Sequence, residues 1–515
     1  MIDRRSFIKS AGAISVAAAT SSLWPFSNAF AAEAATPKKG GHLVVGIDNA
    51  SSTDRLDPAF WFETYMYFVG SQIFNSLVEI DEKGELAPSL AESWSSADGS
   101  KTWILKIRQG VQFHDGRALS AKDVVYSLNH HRGEKSTSPV KGYLDPVTSI
   151  TATGDHEVTV KLNSADVEFV WLLSAVHFVV TAENESFDKG IGTGAFILEK
   201  FQPGVTTLTK RNPNHWNSAR GHVDSVETLA MNDSTARVAA LVSGSAQLIN
   251  RVNPRIVGRI QHMPNIQLIR AKDSAIYTFP GLSNLAPFNN VDGRLALKYA
   301  IDRKQIIDTV LGGYASVAND NPFFPSNRYF AKDIPQRPYD PDQARFHWKK
   351  SGFTGPLTLS VADAGFPGSV DAAQLYQQSA AKAGIDLKVD HVPDDAFWND
   401  VWQKKVFVSS NWASRPTADA MLSLVFTSQS SWNESAWHVP AFDAMVKAAR
   451  GEADEARRKQ IYHDIQVMLV DQGSEIIPLY ADALDGCSIK IKGFTSVPGM
   501  PLSGNRAAEK VWIES

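Results

Sequence analysis

Ser379 and Lys382 stand three residues apart in Ser379-Ala-Ala-Lys382, a spacing at which an amine can activate a serine hydroxyl for acyl transfer. The companion motifs of that chemistry, S-D-N and K-T-G, are missing from the chain, so a secreted serine hydrolase is the weaker reading. His130-His131 with Glu134 offers metal-ligand atoms, but the three fall at the polar tail of a helix and read as a solvated terminus. Gly190-Ile-Gly192-Thr-Gly194 shares part of a dinucleotide fingerprint. It follows the polar run from Glu185 to Lys189 instead of a strand, which removes the nucleotide reading. There is no G-x-S-x-G elbow, P-loop, H-E-x-x-H or EF-hand loop. The chain reads as a binder and not an enzyme, with no cofactor and no metal site expected.

Aromatic residues are more informative. Six of the thirteen tryptophans, Trp61, Trp398, Trp402, Trp412, Trp432 and Trp437, lie in segments of loop-like composition. Those from Trp398 to Trp437 are interleaved with Ser, Asn, Arg and Pro. That arrangement suits either core packing or the wall of a ligand cleft. The single cysteine, Cys487, excludes an intramolecular disulfide and any CxxC site, and reads as a small buried residue near a late strand.

The elements that would position these residues alternate in type. Strands are expected at His42–Asp48, Trp103–Arg108, Val158–Leu162, Ile385–Asp390 and, short and apolar, Ile476–Tyr480. Helices are expected over Phe68–Glu79, from a capping box at Ser120 to Asp123, over Val291–Leu311, Asp371–Ala383 and Ala453–Val470. The pattern is α/β with mixed sheets, and the length allows two to four domains. Pro-rich breaks near 280–288 and 323–341 suggest boundaries.

At the N-terminus, Arg4-Arg5-Ser-Phe-Ile-Lys9 leads into the apolar run Ala11–Ala19, and Ala29-Phe30-Ala31 fits an A-x-A cleavage site. This is the layout of a twin-arginine export signal over 1–31, which implies a periplasmic destination. After Ala31 no apolar run approaches the ~18 residues of a membrane span. The formal charge of −4 is weak for this length and no basic tract occurs, so nucleic acid is not a partner.

Five blocks carry a family resemblance: Leu86-Ala-Pro-Ser-Leu-Ala-Glu-Ser-Trp94 with Gly99 and Thr102 to Arg108; Gly110-Val-Gln-Phe-His-Asp-Gly116 with Leu119 to Ser127; Gly192-Thr-Gly-Ala-Phe196 with Lys210-Arg-Asn-Pro-Asn-His-Trp216; Pro287 to Arg294 with Ala300-Ile-Asp-Arg303; and Ile476-Ile-Pro-Leu-Tyr480. In these the whole mature chain resembles the family 5 extracellular solute-binding proteins, receptors of peptide, nickel and opine ABC importers. Gly116, Gly192 and Gly194 would mark turns where a side chain clashes. Phe113 to Gly116 would be a marker of the fold more than a ligand site.

The resemblance implies a two-lobed periplasmic-binding-protein fold, class II, with an extra subdomain in the first lobe. The first lobe would take 41–283 plus 484–515, with 80–187 as its smaller subdomain, and the second lobe 284–483. A peptide or peptide-like ligand would sit between the lobes, and closure would be read by inner-membrane ABC permease subunits. The receptor itself is expected to be a soluble monomer. Peptide receptors of this family often carry Trp-x-x-Asp in the second lobe, with the carboxylate on the peptide's ammonium. Here the tetrad is Trp412-Ala-Ser-Arg415. A guanidinium there would repel an ammonium and favour a carboxylate or phosphate. On this reading Trp412 supplies an apolar wall, Asn411 and Ser414 supply hydrogen bonds, and the ammonium goes to Asp419 or Asp48. Alternatively the ligand is an opine or another anionic conjugate, or Arg415 makes a structural salt bridge.

Overall fold

The structure, a computed structural model, describes residues 36–395 and 397–514. The leader expected over 1–31 lies outside them. Residues from Pro37 onward form one compact unit.

Strand His42–Ile47 buries one face completely and pairs in parallel with Ser225–Ala230 and Leu248–Ile249. These belong to a nine-stranded mixed sheet, the largest among the described residues. Two long antiparallel strands, Ile266–Pro280 and Glu475–Ser488, carry that sheet from one half of the molecule to the other. At one end they adjoin Leu248–Ile249; at the other they are flanked by Ser410–Ala413 and Ala315–Val317. Between the two ends their register slips, Ala271 facing Ala483 but Ala275 facing Ala481. Asp273 sits in the slip with φ of 61°. An unpaired segment of this kind is a bulge, which locally bends and twists the pair.

A separate antiparallel sheet runs in the order Ala91–Ala97, Thr102–Ile107, Glu157–Leu162, Val147–Gly154. Val158, Val160 and Leu162 point inward, as their alternation dictates. Helix Ala121–His130 packs over this sheet, its start fixed by Asp123, whose carboxylate accepts from the Ser120 N–H at 2.7 Å. In the other half, the parallel pair Leu357–Val361 and Leu387–His391 is covered by helices Val291–Ala300, Arg303–Val310 and Ser369–Ala381. No helix of the described residues is long and apolar enough to cross a membrane.

Four sequence expectations change. The helix expected over Phe68–Glu79 is Thr64–Ile73, followed by a strand at Val78–Ile80. The Ile73 carbonyl accepts from the Gly194 N–H at 2.9 Å instead of from the next helical turn. Asn75 is then held by Thr193 and Trp216, each at 3.0 Å from its Oδ1. Val291–Leu311 is two helices, because Asp302 caps the second by accepting from the Gln305 N–H at 3.0 Å. Ile476–Tyr480 is only part of Glu475–Ser488, whose later aspartates are absorbed: Asp482 pairs with Arg270, and Asp485 accepts from the Leu502 N–H at 2.6 Å. His131, expected in a solvated terminus, is buried with Nδ1 2.7 Å from the Ser138 hydroxyl, and burial holds its ring down to about 3. Its neighbour His130 meets Asp57 at 2.7 Å. No group of three or more His, Cys, Asp or Glu able to hold a metal occurs among the described residues.

The glycine expectation splits. A Cβ at Gly192 or Gly194 would lie 2.1 Å or 2.3 Å from the carbonyl oxygens of Ile73 and Gln72. At Gly116 space is open, and it is the φ of 88° that favours glycine. The His114 Nδ1 accepts from the Gly192 N–H at 3.3 Å, so the Phe113 to Gly116 block and the Gly192 block clamp each other and act as a fold marker. Cys487 is buried on its late strand, where burial pushes the thiol up to about 12.

Candidate functional site

Arg415 is the residue around which the site assembles. Strand Ser410–Ala413 pairs with Ile266–Pro280, setting Asn411 opposite Tyr277 and Trp412 opposite Ile276. The Ser414 N–H then donates to the Ser274 carbonyl at 2.9 Å, which ties the start of the next turn to the bulge in the long strand. From that turn Arg415 reaches the opposite half of the molecule. There its charge acts on the hydroxyls of Tyr67 and Tyr143 and on His177. Its Nε is buried without a hydrogen-bond partner among the described residues, and no carboxylate of those residues pairs with it. The structural salt bridge considered from the sequence is therefore not made. Arg415 and Ser414 line a cavity of about 120 Å³ whose other walls include Glu168, Trp171, Phe324 and Arg328.

The three groups of the opposite half on which the Arg415 charge acts are themselves neutral. Burial pushes the Tyr67 and Tyr143 hydroxyls upward, so both remain protonated donors. Burial also drives His177 down to about 4, and its Nε2 lies 2.9 Å from the Trp61 carbonyl. No carboxylate of the described residues lies at ion-pair distance from this guanidinium, and its Nε has no hydrogen-bond partner, so it keeps its attraction for an anion.

Both carboxylates expected to take a ligand ammonium are committed elsewhere. Asp419 receives a bidentate fork from Arg450, at 2.9 and 3.1 Å. Asp48 is buried and accepts from Asn250 at 2.7 Å and Arg251 at 3.2 Å. Each of these carboxylates thus already has a guanidinium partner within the protein. Asn411 spends one amide N–H on the Gly365 carbonyl.

Trp412 also differs from expectation. It is buried, and its indole N–H donates to Glu434 at 2.9 Å, so it backs the wall instead of facing it. Trp432, 5.7 Å from Trp412 between ring centroids, and Trp398 are 47% and 44% exposed, and these two present indole surface. Trp437 and Trp61 belong to the core. Glu434, missed from the sequence, is buried and accepts from Trp402 at 2.5 Å, Ser410 at 2.6 Å and Trp412 at 2.9 Å. Burial pushes its carboxyl up, against the pull of those three donors. The available signal was an acid placed between Trp432 and Trp437.

The profile of bacterial extracellular solute-binding proteins, family 5 middle, matches residues 85–433. The chain belongs to this family. As a family 5 solute-binding protein it has relatives of comparable length. Heme-binding protein A of Haemophilus influenzae is 26% identical over 488 residues, covering 86% of this chain and 88% of the relative. A dipeptide-binding protein of Pseudomonas aeruginosa is 25% identical over 445 residues, covering 78% and 82%. The solved structure of the PBP AgaA from A. tumefaciens R10, in complex with agropinic acid, superposes with a TM-score of 0.78 at 21% identity, covering 92% of this chain and 99% of that one. The fold of this family 5 protein is thus the two-lobed binding-protein fold. The Ser379–Lys382 pair takes no part in the cleft around Arg415: the Ser379 hydroxyl is buried 2.7 Å from the Ala300 carbonyl and 3.0 Å from that of Tyr376.

Proposed function

We propose that this chain is the receptor of an ABC importer and holds a peptide or peptide-like solute between its lobes, without transforming it. The observation that carries the reading is Arg415, an unpaired guanidinium lining a cavity with Trp171 and Glu168, whose charge is felt by the neutral Tyr67, Tyr143 and His177. A ligand carboxylate supplies the missing partner, and planar donor geometry favours that choice over a point contact. The dipeptide-binding relative supports a peptide. An opine or other anionic conjugate is the second reading, favoured by the same guanidinium and by the agropinic acid of AgaA.

The lobes on this reading are 41–283 with 484–515, and 284–483, with 80–187 as a subdomain. The long strands cross between the lobes at their register slip, where the Asp273 N–H turns to Asp482 and the Lys272 and Ser274 carbonyls accept from Gly499 and Ser414. The chain works as a monomer that docks on inner-membrane permease subunits once closed. It reaches the periplasm through its 1–31 leader; replacing Arg4 and Arg5 together with Lys should leave precursor in the cytoplasm, and unchanged export would remove the twin-arginine route.

A charge-assisted hydrogen bond in a buried site is worth roughly 1.5–3 kcal/mol. Arg415→Ala should therefore weaken binding of the best peptide from a di- and tripeptide panel about tenfold to several hundredfold. Its thermal midpoint should change little, since the side chain gives up no hydrogen bond within the protein. Equal calorimetric affinities for parent and variant would make Arg415 irrelevant to the ligand.

A further inference from the structure

Resting on the peptide reading, we propose that Glu434 is a positioning residue of the ligand site, its single buried carboxylate fixing the strand from whose end Arg415 projects. Strand Ser410–Ala413 has four residues and lies at the edge of the nine-stranded sheet, paired on one side only. A single short ladder leaves the face of such a strand to be fixed by side chains. Ser410 and Trp412, two residues apart, stand on the same face, and Glu434 accepts from both, at 2.6 and 2.9 Å. A third bond, from the Trp402 indole at 2.5 Å, extends the grip to the segment that carries the exposed Trp398, 5.8 Å from Trp402 between ring centroids. The loop of Glu434 is itself pinned. Asn433 donates to the carbonyls of Thr427 at 3.2 Å and Trp437 at 3.1 Å, and the Ser435 carbonyl accepts from the Ser283 N–H at 2.8 Å. Ser414 and Arg415, which follow the strand directly, line the cavity, so a shift of the strand displaces them.

The same face of the sheet holds a second acid. Thr278 is the cross-strand partner of Ser410, and its hydroxyl donates to Glu475 at 3.3 Å. The Cβ atoms of such partners lie about 5 Å apart, so the two carboxyls hang from neighbouring hydroxyls. Both acids are buried. The cation nearest in charge effect, Lys298, is buried too, held down to about 7 by burial, and donates to the carbonyls of Leu469 at 2.9 Å and Val470 at 3.0 Å instead of to either acid. Two buried carboxylates so placed do not both ionise. Three donors point at Glu434 and one at Glu475, whose Oε1 has no partner among the described residues. The charge therefore belongs to Glu434 and the proton to Glu475, whose carboxyl is pushed well up by burial and by the Glu434 charge.

Acid undoes this grip. Burial raises the Glu434 carboxyl to about 7, so it takes up a proton as pH falls through that value. Protonation turns one oxygen from acceptor into donor. Each oxygen already faces a donor, so at least one of the three bonds is lost. On the fold the same group acts in the opposite sense, because a carboxyl raised above its unfolded value favours the folded chain as pH falls. Weaker binding without loss of the fold is thus what separates positioning from general destabilisation.

The test measures, by calorimetry between pH 7.5 and 5.5, the affinity of the tightest binder of a di- and tripeptide panel for the parent, Glu434→Gln and Glu475→Gln. The parent should bind at least fivefold more weakly at the lower pH. Glu434→Gln should bind at least tenfold more weakly than the parent at pH 7.5 and respond little to pH. Glu475→Gln, neutral like the group it replaces, should bind and respond as the parent does. Cooperative urea unfolding of each protein at both pH values checks that the fold is kept. The role of Glu434 is overturned, with the peptide reading intact, if Glu434→Gln binds as the parent does or if Glu475→Gln loses as much as Glu434→Gln. A pH response that survives in Glu434→Gln belongs to Glu475 or Lys298 and overturns it equally. Should Glu434→Gln fail to fold, the parent and Glu475→Gln decide, and an affinity indifferent to pH counts against the proposal. If no peptide of the panel binds the parent, the peptide reading fails and this inference falls with it.

Discussion

Glu168→Ala is expected to shift the protein toward an open form and to weaken ligand binding at least tenfold. Glu168 comes from the segment just beyond the four-stranded sheet and is buried against residues far along the chain. It forms an ion pair with Arg328 and accepts from the hydroxyls of Tyr329 at 3.3 Å and Tyr462 at 3.4 Å. Arg328 is itself sandwiched, its guanidinium 4.7 Å from the Trp171 ring and 4.9 Å from that of Tyr329. Removing the carboxylate leaves one cation and two hydroxyls without their acceptor. Breaking one side of a fully buried pair costs roughly 3–5 kcal/mol; with Arg328 36% exposed the cost here is smaller, and the pair ties together segments 160 residues apart in the chain. Small-angle scattering should report a larger radius of gyration for Glu168→Ala than for the parent. An identical radius would mean that the pair does not govern closure.

The second large effect is on stability. Asp320 is buried, with a backbone φ of 56°, and accepts from Arg303 at 2.7 Å and from the Ile477 N–H at 3.1 Å. Arg303 is as buried as its partner, so Asp320→Ala strands a guanidinium in the core beside Arg337. The expected loss is about 3–5 kcal/mol, read as a lower urea midpoint. Asp320→Asn retains an acceptor for Ile477 and should lose less. A variant as stable as the parent would show that the pair contributes nothing net.

Much of the fold was legible because its signals are local. The alternation at Val158 to Leu162 and the Ser120 to Asp123 cap need no distant partner to be read. What misled was tertiary competition. The apolar spacing of Val69, Ile73 and Leu77 continues a helix on paper, but Gly194 takes the Ile73 carbonyl and ends it. The site was legible in part. Arg415 stands out in the sequence because it replaces an acid in a recognisable tetrad, and the structure leaves it unpaired. Asp419 and Asp48 looked equally available, since no pattern reveals that Arg450 and Arg251 reach them across 31 and 203 residues of chain. Glu434 escaped notice for the matching reason: it gains meaning from indoles that converge only in the folded chain.

Calorimetric titration of the purified chain with the di- and tripeptide panel, followed by recovery of the bound molecule, tests the receptor reading most directly. The account predicts saturable binding of at least one peptide at one site per chain, with that peptide released intact on denaturation. Absence of binding across the panel, or recovery of a cleaved product, would contradict it.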